Sequence, residues 1–293
     1  MKLSVAFKNI SKEIVIKCLA WISDETYVKI WYYYRTRKYL RLKNPQKFTE
    51  KLQWLKLNDH NPTYTQLVDK YEVRKFVLDR VGEEYLIPLI GVYDTFDEID
   101  FSIFPSQFVL KCNHDSGSIV ICKDKSNFNV DQARKKLNKA LKRSHYPVSR
   151  EWMYKNVNPR IIAEQYIEEK SGQIKDYKIY CFNGESKLIY VNFDRFVNTK
   201  GNLYTTEWEY ISATLIFEPD PDYVIKKPNN INLLLQIAEK LAKGFLFMRV
   251  DMYCVNEKVY FGEMSFYPGG GGYRIQPEEF DYEMGSWIKL PKN

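Results

Sequence analysis

Residues 247–273, FMRVDMYCVNEKVYFGEMSFYPGGGGY, constrain this chain more than any other stretch. Two runs rich in Val, Tyr, Phe and Met flank the short polar segment Val255-Asn256-Glu257-Lys258, which reads as a β-hairpin. A turn near Asn256-Glu257 sets Asp251 opposite Glu263 and Arg249 opposite Ser265. Side chains alternate along a strand, so these four share one face, and Met248, Val250, Met252, Met264 and Phe266 belong to a buried opposite face. Carboxylates directly opposite on a sheet repel. A hard cation bridging them relieves the repulsion, and oxygen-only ligands suit Mg²⁺. Pro268 and four glycines, 269–272, follow the hairpin and leave backbone N–H groups open to an approaching anion. The alternative is an ordinary hairpin with Glu263 in water and a flexible glycine loop.

With 293 residues the chain holds one large domain or two small ones. No apolar run is long enough to span a bilayer, and residues 14–22 are interrupted by Lys17, so a signal peptide is not expected. The five cysteines, Cys18, Cys112, Cys122, Cys181 and Cys254, are scattered without a CxxC pair, which points to a reduced, cytosolic protein. The three histidines, His60, His114 and His145, are too far apart for a local zinc motif. Charge is uneven. Residues 1–56 carry 13 basic and 4 acidic side chains, net +9, against net −2 for the remainder. The same segment holds Trp21, Trp31, Tyr32, Tyr33, Tyr34, Tyr39 and Trp54. That combination suits a helical appendage packing its aromatics on the main domain, peripheral contact with an anionic membrane, or, less well, nucleic acid.

Helical patterning is expected over 11–39, with Ser11 and Asp24 as N-caps, over 48–57, capped by Thr49, and as one helix over 64–81, stopped by Gly82. Further helices fit 130–144 and 231–244. Strands fit 85–92, 108–112, 119–122 and 160–167, and 176–180 pairs with 187–192 around the Asn183-Gly184 turn. Residues 198–222 read as a long irregular connection. In FVLKCNHDSGSIVICK, Lys111 ends a strand and the polar loop 113–118 follows it. Small residues let amides approach a polyphosphate, and the lysine supplies a point charge. An ordinary solvated hairpin fits the same segment, and neither a Walker A loop nor a GxSxG elbow is present.

Together FTEKLQWLKL, LVDKYEVRKFV, YLIPLIGVYDTFDEIDF, the Lys111 hairpin, IIAEQYIEE, KDYKIYCFNGE and FGEMSFYPGGGG resemble the ATP-grasp superfamily. From about Lys47 onward the chain is similar to its TupA-like branch, a group associated with teichuronopeptide and other cell-surface polysaccharide biosynthesis. The resemblance implies an α+β ATP-grasp fold, in which two α+β subdomains grip ATP behind a helical basic N-terminal extension. The corresponding divisions are 1–60, 61–165 and 166–293. It further implies that Lys70 and Lys111 hold the ATP phosphates under a lid that includes Ser116 and Gly117. Glu164, Gln165, Tyr166 and Ile167 would form the adenine hinge, with Asp176 near the ribose and Lys178 toward phosphates or substrate. Arg249 would stabilise the transferring phosphoryl group, and Asp251, Glu263 and Ser265 would hold Mg²⁺. Ser265 stands where the family commonly has Asn, and Gly117 is the lone glycine of its lid.

The implied chemistry is ligation of an amine or amino acid to a carboxylate of a glycan precursor through an acyl phosphate. Loops 113–118 and 269–272 would serve as lids, and Arg195, Arg274 and His114 are further substrate contacts to consider. The competing readings are a sugar phosphotransferase on the same fold, a glycosyltransferase using Asp220-Pro221-Asp222 as a metal-binding DxD, and a non-enzymatic adaptor acting through residues 1–56.

Overall fold

The computed structural model describes residues 21–169, 174–193 and 199–291. The expected cap at Ser11, together with Cys18 and Arg195, lies outside them. Helices α1 (Asp24–Thr36), α2 (Phe48–Asn58), α3 (Thr63–Val68) and α4 (Val73–Arg80) come first. Strands β1 (Leu89–Tyr93), β2 (Phe108–Cys112) and β3 (Val120–Cys122) follow, then α5 (Val130–Leu141), the short α6 (Tyr146–Ser149) and β4 (Ile161–Gln165). The rest comprises β5 (Lys175–Phe182), β6 (Glu185–Phe193), β7 (Lys200–Tyr204), β8 (Tyr210–Ile211), α7 (Ile231–Ala242), β9 (Phe247–Val255), β10 (Lys258–Ser265) and α8 (Glu278–Trp287). The strands form two antiparallel sheets, β1-β4-β2-β3 and β10-β9-β5-β6-β7-β8. The segment expected to be irregular after residue 198 therefore adds two strands, β7 and the edge strand β8, to the larger sheet.

Each sheet has its own core. Phe108, Leu110, Leu137 and Ile161 centre the smaller one. In the larger sheet Ile179, Ile189, Val250 and Met252 face α7, whose Leu234, Ile237, Ala238 and Leu241 are buried. Burial of these side chains at about 25 cal/mol per Å² of apolar surface is the main force behind the sandwich of helix on sheet. The opposite face of that sheet is left to polar side chains, except at one end, where Phe48 of α2 meets Tyr180, Phe182 and Phe247.

The β9–β10 hairpin places Asp251 opposite Glu263 and Arg249 opposite Ser265. Asn256 and Glu257 both turn through positive φ, 49° and 66°, so the loop has two residues and Val255 pairs with Lys258. Continued unchanged, that register would put Gly262 opposite Asp251 and send Glu263 to the core face beside Val250. A bulge at Gly262 absorbs one residue, so that both Phe261 and Met264 stay in the core while Glu263 emerges beside Asp251. A Cβ at Gly262 would stand 3.0 Å from the Asp251 carbonyl oxygen, which is why the extra residue is a glycine.

Three other expectations are corrected. The N-cap of α1 is Ser23, whose Oγ accepts from Thr26 N at 3.3 Å, so Asp24 is already inside the helix. Thr49 does not cap α2. Glu50 reaches back to the Lys47 amide, and Thr49 donates its hydroxyl to Asp281 of α8 at 2.8 Å. The single helix over 64–81 is split. The buried Asp69 carboxylate accepts from the amides of Tyr71 and Glu72 and from Asn113 Nδ2 at 2.8 Å, which stops α3 and leaves Lys70 in the break.

The glycine run is a packed strap rather than a loose lid. Gly269, Gly270 and Gly271 all have positive φ. A Cβ at Gly271 would fall 2.5 Å from Gln53 Nε2, and one at Gly270 would fall 2.9 Å from the Trp31 ring. Gln53 Nε2 donates to the carbonyls of Gly270 and Gly271 at 2.9 and 2.7 Å. The fully buried Lys56 donates to Gly270 O at 2.6 Å, Ser149 O at 2.9 Å and Gln53 Oε1 at 2.9 Å, with its ammonium over the Trp31 and Tyr267 rings.

Burial draws the Lys56 amine down to about 8, although Glu151 pulls it the other way. The unfolded chain therefore holds this proton over a pH range where the folded chain has released it, and stability must rise between about pH 8 and 10.5. Relative to Lys56→Met, the wild-type chain is expected to gain up to about 3 kcal/mol between pH 7 and pH 10.5, read as the shift in urea midpoint. A gap independent of pH would show that the ammonium is not buried as described.

Candidate active site

The polar face of the large sheet carries a line of alternating charges. Lys178 on β5 pairs with Asp251 on β9, and Tyr180 with Arg249. Lys178 Nζ lies 2.5 Å from Asp251 Oδ2 and 2.7 Å from Asp176 Oδ2. Arg249 grips Asp251 with two parallel bonds, Nε to Oδ1 at 2.6 Å and Nη2 to Oδ2 at 2.7 Å, and also donates to Ser265 Oγ at 3.1 Å. Glu263 closes the line, 3.5 Å from Arg249 Nη2 and 3.8 Å from Lys70 Nζ. Asp251, Asp176, Lys178 and Arg249 are all buried, whereas the Glu263 side chain is 40% exposed.

Burial opposes charge on Asp251, but the Arg249 guanidinium and the Lys178 ammonium outweigh it and hold the carboxyl below its usual range. The same contest keeps Lys178 protonated: burial lowers it, and Asp251 and Asp176 raise it further. Removing one member of such a cluster strands a buried charge, which typically costs about 3–5 kcal/mol.

The smaller sheet presents a second cluster. Lys111 Nζ sits 2.6 Å from Glu164 Oε2 on the neighbouring strand, and Arg74 of α4 approaches Glu164 Oε1 at 3.5 Å. Gln165 is exposed, and Tyr166 and Ile167 are half-buried at the end of β4. Lys123 Nζ stands 6.0 Å from the centre of the Tyr166 ring. Between the clusters lies the 113–118 loop. Its base is fixed: the Cys112 amide donates to Ser118 Oγ at 2.9 Å, Ser118 Oγ donates to Asp115 Oδ1, and Lys70 Nζ donates to the Asp115 carbonyl at 2.6 Å. Its tip, Ser116 and Gly117, is exposed, and no atom lies within 4 Å of a Cβ built on Gly117. Of the two loops expected to move, only this one has a free tip.

Lys70, Glu263, Arg249, Ser265, Asp251, Lys178 and Asp176 are thus joined in one line of contacts, and Lys111 and Glu164 form a second cluster on the smaller sheet. His114 does not join them. Its ring turns toward the end of α5, with Nε2 3.3 Å from Ala140 O and 3.1 Å from Arg143 O. Asp220 of the DxD stretch lies in a turn pinned to Asn202 of β7, whose Nδ2 donates to Asp220 O at 2.7 Å and whose Oδ1 accepts from the Asp220 amide at 2.8 Å. Reading the sequence missed Arg74, Asp69 and Asn192. Asn192 pairs with Asp176 and buries an Oδ1 that has no hydrogen-bond partner among the described residues. Helical spacing from Lys70 to Arg74 was the available signal for the first.

Whether Mg²⁺ fits is a question of donors. Asp251 and Glu263 offer carboxylate oxygens from facing positions, with Ser265 Oγ nearby, and no nitrogen or sulfur ligand intrudes. Among the described residues no three His, Cys, Asp or Glu side chains converge. That arrangement fits Mg²⁺, which commonly takes one or two carboxylates and completes its shell with phosphate oxygens and water. Because both Asp251 oxygens are bonded to cations, the freer ligand is Glu263.

Among solved structures the chain is similar to D-alanine–D-alanine ligase from Bacillus anthracis complexed with ATP, at 18% identity over 69% of this chain and 55% of that one, TM-score 0.39. It is also similar to N5-carboxyaminoimidazole synthetase from Staphylococcus aureus, at 14% identity over 73% and 50%, TM-score 0.41. D-Alanine-D-alanine ligase from Helicobacter pylori matches at 14% identity over 84% and 70%, TM-score 0.42. The chain spans about half the length of the first two. No curated protein sequence matches it. The sequence matches the family described as TupA-like ATPgrasp over residues 50–289, most of its length, and the chain therefore belongs to the TupA-like ATP-grasp family, with its α+β ATP-grasp fold.

Proposed function

We propose that the protein is a Mg²⁺-ATP-dependent carboxylate–amine ligase, ADP-forming, which joins an amino acid or other amine to a carboxylate of a cell-surface polysaccharide precursor. The observation that carries this reading is the continuous charge line from Lys70 through Glu263, Arg249, Asp251 and Lys178 to Asp176, beside the Lys111–Glu164 pair of the smaller sheet; in this reading the two clusters face one groove. The choice of a glycan acceptor rests on the family resemblance.

In this reading Lys70 and Lys111 take the phosphates, with the exposed tip at Ser116 and Gly117 closing over them. Glu164 to Ile167 border the adenine, and Asp176 with the open Asn192 Oδ1 meets the ribose hydroxyls. Asp251, Glu263 and Ser265 hold Mg²⁺, which screens the negative charge of the phosphates when bound. Arg249 already bridges Asp251 and Ser265, so its guanidinium is fixed where charge develops on the transferring phosphoryl group. The acceptor carboxylate attacks the γ-phosphorus and ADP leaves. The amine then attacks the acyl carbon, and phosphate departs. The strap and the loop keep water from the acyl phosphate.

Helix α1 buries Tyr27, Val28 and Tyr32 against the body but leaves Tyr34 67% exposed, and the segment after it exposes Tyr39 (82%) with Arg37, Lys38, Arg41 and Lys43. This supports a cytoplasmic protein in peripheral contact with an anionic surface, the inner face of the cytoplasmic membrane. Among the described residues no helix is long and apolar enough to cross a membrane.

Mg²⁺-ATP at about a hundred times its dissociation constant adds roughly 2.7 kcal/mol, which raises the melting midpoint by several degrees. Glu263→Gln and Lys111→Ala are each expected to abolish most of that shift and to lower carboxylate- and amine-dependent ADP release by roughly 10³-fold. Full turnover in both variants would sink the ligase reading, and ADP formation without free phosphate would make the enzyme a kinase instead. Binding of the full chain to vesicles containing anionic lipid should weaken steadily as salt rises from about 0.1 to 1 M. Binding that ignores salt would rule out electrostatic attachment.

A further inference from the structure

Glu164 is a buried carboxylate with two cations on it. Its side chain is 7% exposed, and its cross-strand neighbours, Leu89 on β1 and Val109 on β2, are apolar. Neither neighbour can neutralise it, so its partners come from further away. Lys111, two residues along β2 from Val109 and on the same face, reaches Oε2 at 2.6 Å. Arg74 reaches Oε1 from α4, with Nη1 at 3.5 Å. One cation is enough to keep one carboxylate charged, so the second is surplus for as long as Lys111 stays where it is.

Arg74 is placed by the same break in the helix that positions Lys70. The Asp69 carbonyl accepts from the Val73 amide at 3.0 Å, the Asp69 carboxylate is tied to Asn113, and Val73 and Val77 are buried beneath α4. Arg74 then falls in the first turn of α4, where the helix dipole disfavours a cation. Its one ion pair among the described residues is with Glu164. The guanidinium therefore serves the carboxylate and not the helix.

Lys111 cannot simply leave Glu164 for another anion. Its departure would strand a buried carboxylate, which is strongly destabilising unless a second cation stays behind. Arg74 is that cation.

We propose that Arg74 is a positioning residue for nucleotide binding: it keeps Glu164 ion-paired and so releases Lys111 to a phosphate group. Arg74 has this role only if Lys111 takes a phosphate, as in the reading above. The guanidinium itself acts through Glu164 and Lys111 and does not touch the nucleotide.

The test is titration calorimetry of the full chain with the Mg²⁺ complex of the non-hydrolysable β,γ-imido analogue of ATP. It compares the wild type with Arg74→Met, Arg74→Lys, Glu164→Gln and the double variant Arg74→Met, Glu164→Gln. Arg74→Met is expected to lose about tenfold or more in affinity, equivalent to about 1.4 kcal/mol, because Lys111 is then held on Glu164. Without nucleotide this variant should melt close to the wild type, since Lys111 still neutralises the carboxylate. The Arg74 contact is an attraction between charges at 3.5 Å and not a directed bond, so Arg74→Lys should bind within about threefold of the wild type. In the Glu164→Gln background no carboxylate needs covering, and there the Arg74→Met change should cost less than about twofold. A direct grip on the nucleotide, or a merely structural role, would give the same loss in both backgrounds. Wild-type affinity in Arg74→Met, an equal loss in the two backgrounds, or an Arg74→Lys variant as weak as Arg74→Met would each overturn the proposal. A wild-type chain that binds no nucleotide would defeat the ATP reading itself, and this role with it.

Discussion

The buried Asp251 carboxylate is the constraint on which the rest of the site depends. It sits on the polar face of a sheet whose other face is filled by α7, so it has little water around it. Isolated in such a place, a carboxylate would take up a proton instead of remaining charged. Arg249 and Lys178 prevent this, and they come from fixed strand positions: two residues away on β9 and directly opposite on β5. Lys178 then needs a further carboxylate, supplied by Asp176 two residues along its own strand, and Arg249 needs Glu263 and Ser265 on β10. A pleated sheet with a period of two provides these neighbours without any special loop.

That logic explains what could be read in advance. Alternation was sufficient to put Arg249 with Asp251 on one face of β9 and Glu263 with Ser265 on one face of β10, because strand period is a local property of the sequence. The bulge was hidden. Gly262 looks like any strand glycine until the outer register is known, and the outer register depends on a two-residue turn in which both Asn256 and Glu257 are left-handed. The correct facing of Asp251 and Glu263 thus came from two unseen departures that cancel.

The break at Asp69 was hidden for a different reason. Leu67, Tyr71 and Leu78 keep helical spacing through it, and what interrupts the helix is a buried carboxylate recruited by Asn113 from another part of the chain. The glycine strap shows the same limit. A run of glycines reads as freedom, yet here each missing side chain makes room for Tyr273, Trp31 or Gln53, and a buried lysine from α2 fixes the Gly270 carbonyl. Long-range partners of this kind leave no periodic trace. The helical region around residues 24–58, for which charge and aromatic content allowed an appendage, consequently packs on the strap through Trp31, Gln53 and Lys56.

Charge balance gives the ligase reading its physical sense. In the groove of the proposed reading, Lys70 and Lys111 already have carboxylate partners, Glu263 at 3.8 Å and Glu164 at 2.6 Å. A phosphate entering the groove exchanges one anionic partner for another, which costs less than taking a free lysine out of water. Glu263, released from Lys70, keeps a carboxylate next to Asp251 that again lacks enough positive charge. In the proposed reading the like-charge pair at the centre of the hairpin is tolerable while the lysine is present, and it would favour a divalent cation once a polyphosphate draws the lysine away. Nucleotide and metal would accordingly bind with positive coupling, each supplying the charge the other displaces, and the exposed Glu263 is the residue through which that coupling passes.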